Sequence, residues 1–358
     1  MFRCRLGTAA VIAASIACAA SAADPPKVGI AADGTVSVPA LTVPMTPYLS
    51  PEARAYVTQH LFDMQAPERL VQDNGVPRFM TGYLARQREM YPHTRTDTKI
   101  AGVHVYDYAP KAGIAAENRK RVLINLHGGG FSGCWPGCAE LESIPIAAVA
   151  KMRVVSVDYR EAPQFKHPAA SEDVAAVYRE LLKTYRAENI GIFGCSAGGM
   201  LTAMSVAWFQ QHGLPRPGAV GIFCAGAGSP KGIATFEGDA AYTAGPLGEL
   251  RVPQAGAPAG PAGYFSGTDP ADPLVAPINS PQVLARFPPT LLITGTRGFE
   301  LSSAIYTHTQ LVKNGVDARI HVWEGLFHGF FYNADVPESQ DCYRVIVDFF
   351  ARNLGKRT

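Results

Sequence analysis

The rhythm of apolar and polar positions changes near residue 98. From Asp24 to about Pro92 the chain is Pro-rich and then helix-like, with Ser50-Pro51-Glu52-Ala53-Arg54 placing an N-cap serine before a proline at the first helical position. A second helical stretch, Pro67 to Met90, is interrupted at Gly75-Val76-Pro77 and carries Phe79, Met80, Tyr83 and Leu84, apolar residues suited equally to covering a pocket and to packing on a main domain. Beyond Thr98, strands are predicted over Val103 to Tyr108, Arg121 to Leu126, Arg153 to Tyr159, Asn189 to Cys195, Gly218 to Phe223, Thr290 to Thr294 and Ala318 to Trp323. Helical segments separate them. In Ser171 to Tyr185, Val174, Val177, Leu181 and Leu182 fall on one face, while Glu172, Arg179, Glu180 and Lys183 fall outside it. Strands alternating with helices predict a mostly parallel, doubly wound α/β sheet with its chemistry at the C-terminal ends of the strands.

One apolar run ends in Gly194-Cys195-Ser196-Ala197-Gly198 and continues as helix-like sequence. This is the pattern of a nucleophile elbow, in which serine sits on a tight strand-to-helix turn and a side chain at either flanking glycine would collide with neighbouring backbone. The pentapeptide also arises by chance, so its context decides. A serine nucleophile needs a base, an oxyanion site and an acid to orient the base. Directly after the strand ending at Leu126 comes His127-Gly128-Gly129-Gly130-Phe131, a loop whose backbone N–H groups suit a carbonyl oxygen. Gly128 and Gly129, with Ala197 after the serine, are the expected donors. His328, in a loop beyond the last strand, is the expected base. His321 lies inside a strand, His308 lies on a helix, and His127 is expected to brace its own loop.

Composition narrows the classes further. A chain of 358 residues with 47% hydrophobic content can bury a large core, and a net charge of +2 argues against a nucleic-acid or anionic-membrane partner. The first 23 residues read as a secretory leader, with Arg3 and Arg5 before an apolar segment from Thr8 to Ala20 and small residues at Ala20-Ser21-Ala22. That segment is too short to span a bilayer, so cleavage near residue 22 or 23 and export of a chain without an integral membrane segment are expected. A lipoprotein anchored at Cys18 is the lesser alternative. Export leaves Cys134, Cys138, Cys195, Cys224 and Cys342, an odd number that keeps at least one thiol free. Cys134 and Cys138 suit either a small loop disulfide or two reduced, packed thiols. No Cys or His spacing completes a four-ligand zinc site, so no metal is expected.

The motifs form a recognisable set. His127-Gly128-Gly129-Gly130, Val157-Asp158-Tyr159-Arg160 with Ala162-Pro163, Gly194 to Gly199, and Glu324-Gly325 with His328-Gly329-Phe330 resemble the bacterial hormone-sensitive lipase family of α/β-hydrolases over residues 98 to 352. The resemblance implies an α/β-hydrolase fold with an N-terminal helical cap. It also implies hydrolysis of carboxylic esters, usually with short acyl chains, without a metal or organic cofactor.

Two positions depart from the family pattern. Cys195 stands before the serine where Asp or Thr is usual, and Gly298 stands where the triad aspartate is expected. Glu300, two residues on, has a longer side chain and is the first candidate for the acid. The alternatives are a solvated glutamate at a helix start with a Ser-His dyad, or a fold that has lost hydrolysis. Asp269, Asp272 and Glu324 lie in loops that fit less well.

The resulting expectation is a leader over 1–23, a helical cap over 24–97 and a catalytic domain over 98–358, with a Gly/Ala/Pro-rich insertion at 225–272 as a second lid part. Ser196, His328 and Glu300 carry the reaction on a small-molecule ester. Gly128, Gly129 and Ala197 hold the oxyanion, and Phe131 and Trp135 line the substrate pocket. The different-class alternative is a protein that binds a small ester or acid without turning it over. Oligomeric state, a dimer included, is left open.

Overall fold

The computed structural model describes residues 28–40, 42–73, 75–230, 237–250 and 263–355. The leader, Cys18 and the tract 256–262 lie outside the described residues. The chain divides into two compact units, Met1–Pro44 and Met45–Thr358. In the first, Gly29–Ile30 pairs antiparallel with Val36–Ser37.

The second unit is built on an eight-stranded sheet. Its strands are β1 (His93–Ile100), β2 (Val103–Pro110), β3 (Val122–Leu126), β4 (Arg153–Val157), β5 (Ile190–Cys195), β6 (Ala219–Phe223), β7 (Thr290–Gly295) and β8 (Ala318–Trp323). They lie in the spatial order β8, β7, β6, β5, β3, β4, β2, β1. β1 pairs antiparallel with β2 and β2 with β4, and every other neighbouring pair is parallel. β3, β5, β6 and β7 are buried along their whole length, as largely apolar strands covered on both faces should be.

The helices of more than one turn are α1 (Pro51–Met64), α2 (Thr81–Met90), α3 (Gly137–Ala150), α4 (Ala169–Leu181), α5 (Ala197–Gln211), α6 (Asp239–Gly248), α7 (Leu301–Lys313) and α8 (Pro337–Asn353). Ser50 caps α1 as its sequence predicts, its Oγ accepting from the Ala53 N–H at 3.0 Å with Pro51 in the first turn. On α4, Val174, Val177 and Leu181 are buried while Glu172 and Arg179 are exposed, as the amphipathic pattern requires.

The structure also departs from the sequence reading. β1 is an edge strand of alternating Thr and charged residues, exposed along most of its length, so no apolar alternation announces it. It begins before residue 98 and draws the end of the N-terminal segment into the sheet. The stretch Pro67 to Met90 is broken into a short helix at Pro67–Leu70, an antiparallel pairing of Gln72–Asp73 with Val76–Pro77, and then α2. Proline at 77 and the positive φ of Gly75 account for the break. Within 225–272, which the sequence marks as too long for a plain connection, the described residues include the helix α6.

Candidate active site

β5 delivers Ser196 at the centre of the sheet. The register pairs Leu126 with Gly194 and Phe223 with Cys195, so β3, β5 and β6 end side by side. Ser196 has φ 58° and ψ −122°, a conformation that L residues rarely adopt, and α5 begins immediately after it. The flanking glycines are sterically required. A Cβ on Gly194 would lie 2.2 Å from the Leu126 carbonyl oxygen, and one on Gly198 would lie 1.7 Å from the same atom. Cys195 is fully buried beneath the turn, where burial and the adjacent Cys224 push its thiol well above the usual range.

Two loops bring the histidine and the acid together. Gly295 ends β7 so close to the second loop that a Cβ there would lie 2.0 Å from the Leu326 carbonyl oxygen, and the Arg297 N–H donates to that oxygen at 2.9 Å. The Gly325 N–H donates to Thr296 Oγ1 at 2.7 Å. With the loops fastened in this way, Glu300 Oε2 stands 3.0 Å from His328 Nδ1. Glu300 is fully buried, and its Oε1 accepts from Thr294 Oγ1 at 2.9 Å. Burial by itself would lower the His328 pKa, but the Glu300 charge and hydrogen bond outweigh it and push the imidazole up to about 9. The ring stacks on Phe299, with centroids 4.5 Å apart. Cys224 offers its sulfur within 4.8 Å of the ligand atoms of Glu300 and His328, a convergence that spacing along the chain does not reveal.

The competing residues are engaged elsewhere. Asp269 and Asp272 accept from backbone N–H groups two residues on. His308 meets the Ala318 carbonyl oxygen at 3.2 Å, and His321 lies in β8. His127 does brace its loop: it is buried, stacks on Tyr159 at 4.4 Å, and its Nδ1 lies 2.7 Å from the Gly128 carbonyl oxygen.

Two expectations in the glycine loop need correction. The Gly128 N–H donates to Glu142 Oε1 at 2.8 Å inside the core, so it is not directed at a substrate oxygen. Gly129 and Gly130 form the cavity wall instead. Among the described residues, no hydrogen bond takes up the N–H groups of Gly129, Gly130 or Ala197. Phe131 does not line the cavity. It is fully buried, stacked on Tyr264 at 4.8 Å and edge-on to Phe265 at 5.1 Å. Trp135 is on the cavity wall as expected. Cys134 and Cys138 are joined in a disulfide at the same wall.

The cavity has a volume of about 600 Å³ and contains both Ser196 and His328. Tyr56 of α1, Phe79, Met80 and Phe327 also line it. Sequence reasoning missed Glu142 and Tyr332, which join the site from α3 and from the chain beyond the histidine. An acid inside the run Leu141 to Ala150, whose other residues are apolar apart from Ser143, was the signal available for Glu142.

Comparisons with known proteins agree with this geometry. A match to the α/β-hydrolase-fold family spans residues 123–332. An acetyl-hydrolase from Streptomyces hygroscopicus is 28% identical over 238 residues, 66% of this chain and 77% of that protein. A solved esterase superposes with a TM-score of 0.73 at 29% identity, covering 89% of this chain and 98% of its own. An esterase of the bacterial hormone-sensitive lipase family superposes with a TM-score of 0.69 at 25% identity, covering 86% and 99%. The chain belongs to the α/β-hydrolase family, among the esterases of its bacterial hormone-sensitive lipase branch.

Proposed function

We propose that this protein hydrolyses small carboxylic esters through an acyl-enzyme formed on Ser196. The observation that carries this reading is the 3.0 Å contact between His328 Nδ1 and Glu300 Oε2, beside a cavity that also holds Ser196. The Glu300 contact fixes the tautomer that leaves Nε2 as the basic nitrogen. His328 takes the Ser196 hydroxyl proton as Oγ attacks the ester carbonyl carbon. The resulting oxyanion receives hydrogen bonds from the N–H groups of Gly129, Gly130 and Ala197. Collapse expels the alcohol, which takes the proton from His328. Water, deprotonated by the same imidazole, attacks the acyl carbon, and collapse releases the acid as Ser196 Oγ takes the proton back from His328. Glu300 is the triad acid in this scheme, reaching His328 from two residues beyond Gly298.

A cavity of about 600 Å³ walled by Tyr56, Phe79, Phe327 and Trp135 suits a small, largely apolar ester. The leader pattern and the Cys134–Cys138 disulfide support export to an oxidising compartment. No helix among the described residues is long and apolar enough to cross a membrane. Turnover of p-nitrophenyl acetate and butyrate by the protein and by Ser196→Ala tests the activity. Equal rates from the two would sink the esterase reading and leave a binding protein.

A further inference from the structure

Glu142 projects from α3 into the core, is 2% exposed, and plays no part in the chemistry proposed above. Its carboxylate accepts four hydrogen bonds: Oε1 from the Gly128 N–H at 2.8 Å and the Tyr332 hydroxyl at 2.9 Å, and Oε2 from Asn125 Nδ2 at 2.9 Å and the Cys195 N–H at 3.2 Å. The Asn125 side chain is held in the required sense, because its Oδ1 accepts from Ser156 Oγ at 2.6 Å. No lysine or arginine is among these partners. Burial pushes the carboxyl up to about 7, against the pull of its four donors.

The partners lie in three separate parts of the site. Gly128 precedes Gly129 and Gly130, Cys195 precedes Ser196, and Tyr332 follows His328 by four residues. These segments reach one point only in the folded chain, where a single carboxylate spans them. A buried carboxylate without a cationic partner is costly, and only its full set of hydrogen bonds offsets that cost. A carboxylate has acceptor sites enough for all four donors, which no other side chain of this size provides.

We propose that Glu142 is a positioning residue for the reaction, holding the glycine loop, the serine elbow and the histidine loop in register through these four hydrogen bonds. The inference rests on ester hydrolysis at Ser196 and extends it to a group that touches neither the substrate nor the reacting atoms.

Glu142→Gln tests it, because the amide nitrogen cannot accept and one pair of donors must face N–H groups. Turnover of p-nitrophenyl acetate should fall about a hundredfold, a loss comparable to that of one oxyanion donor, with KM changed less than about threefold. Affinity for a trifluoromethyl ketone, which forms a tetrahedral oxyanion on serine, should weaken by the same factor as kcat/KM. Tyr332→Phe removes one donor and keeps the ring, and should lower turnover about two- to tenfold. In the Glu142→Gln background the tyrosine change should add nothing. Unchanged turnover and ketone affinity in Glu142→Gln protein that circular dichroism shows to be folded would overturn the proposal. Should that variant not fold, unchanged values for Tyr332→Phe would do so. Ser196→Ala keeps the two readings apart. If it retains full activity the hydrolysis reading fails, and if it is inactive while both clamp variants are unaffected only the positioning role fails.

Discussion

The Glu300 carboxylate fills the space in which a side chain on Gly298 would begin. A Cβ built on Gly298 would stand 2.6 Å from Glu300 Oε1 and 2.9 Å from Oε2. The missing side chain and the longer acid are therefore two halves of one arrangement. Glycine leaves the room, and a glutamate two residues on folds back into it to meet His328.

That arrangement predicts the behaviour of Gly298→Asp. By itself the change crowds two carboxylates into one site and should lower kcat, because like charges at that distance cannot both ionise. Combined with Glu300→Ala, the new aspartate has the vacated space and should recover at least about tenfold of the activity that Glu300→Ala loses. Steady-state kinetics of the two single variants and the double variant check this. Full activity in Gly298→Asp alone would show that the site does not depend on Glu300.

Glu300→Gln keeps the shape and removes the charge. Turnover should fall by about three to four orders of magnitude with KM little affected, as when a triad acid is made neutral. Unaltered kcat on p-nitrophenyl acetate would point to a Ser-His dyad.

The pH dependence follows from His328. The base must be neutral, and Glu300 holds the imidazole up at about 9, so kcat/KM should climb along a limb well above the ordinary histidine value of about 6.5. Stability runs the other way. The folded-state pKa is raised above the unfolded one, so the ion pair's contribution is complete below about 6.5 and is lost as pH rises through about 9. Rates and melting temperatures between pH 6 and 10 should cross in this sense. In Glu300→Gln both trends should weaken.

The elbow stores backbone strain at Ser196, whose φ is 58°. Glycine accepts that conformation at less cost than alanine, so Ser196→Gly should be more stable than Ser196→Ala by about 1 kcal/mol, with both inactive. Urea denaturation of the pair measures the difference. Equal midpoints would mean that the turn relaxes without its hydroxyl.

Trp135 and Phe131 should separate cleanly. Phe131→Ala removes a fully buried ring packed on Tyr264 and Phe265, and should destabilise the fold by about 3–5 kcal/mol without altering the preference among acyl chains. Trp135→Ala enlarges the cavity and should raise KM for short esters relative to longer ones. A change in chain-length preference in folded Phe131→Ala would restore that ring to the substrate pocket.

Much of the architecture was legible in the chain because strands buried on both faces are largely apolar, as β3, β5, β6 and β7 are. Ser196 and its glycines were legible because the elbow is a local steric solution, and the contacts of Gly194 and Gly198 with the Leu126 carbonyl oxygen meet that expectation. β1 was not legible, because a solvated edge strand needs no apolar alternation. The glycine loop was legible as a loop but not in its register: the N–H of Gly128 turns inward to Glu142, which approaches from a helix 14 residues on, while Gly129 and Gly130 line the cavity. The sequence by itself thus determined the sheet, the serine turn and the late histidine, all of which follow from periodicity or from local backbone sterics. Only the tertiary structure decided that Glu300 meets His328 and that Glu142 gathers three loops, because both depend on distances between segments that nothing but packing brings together.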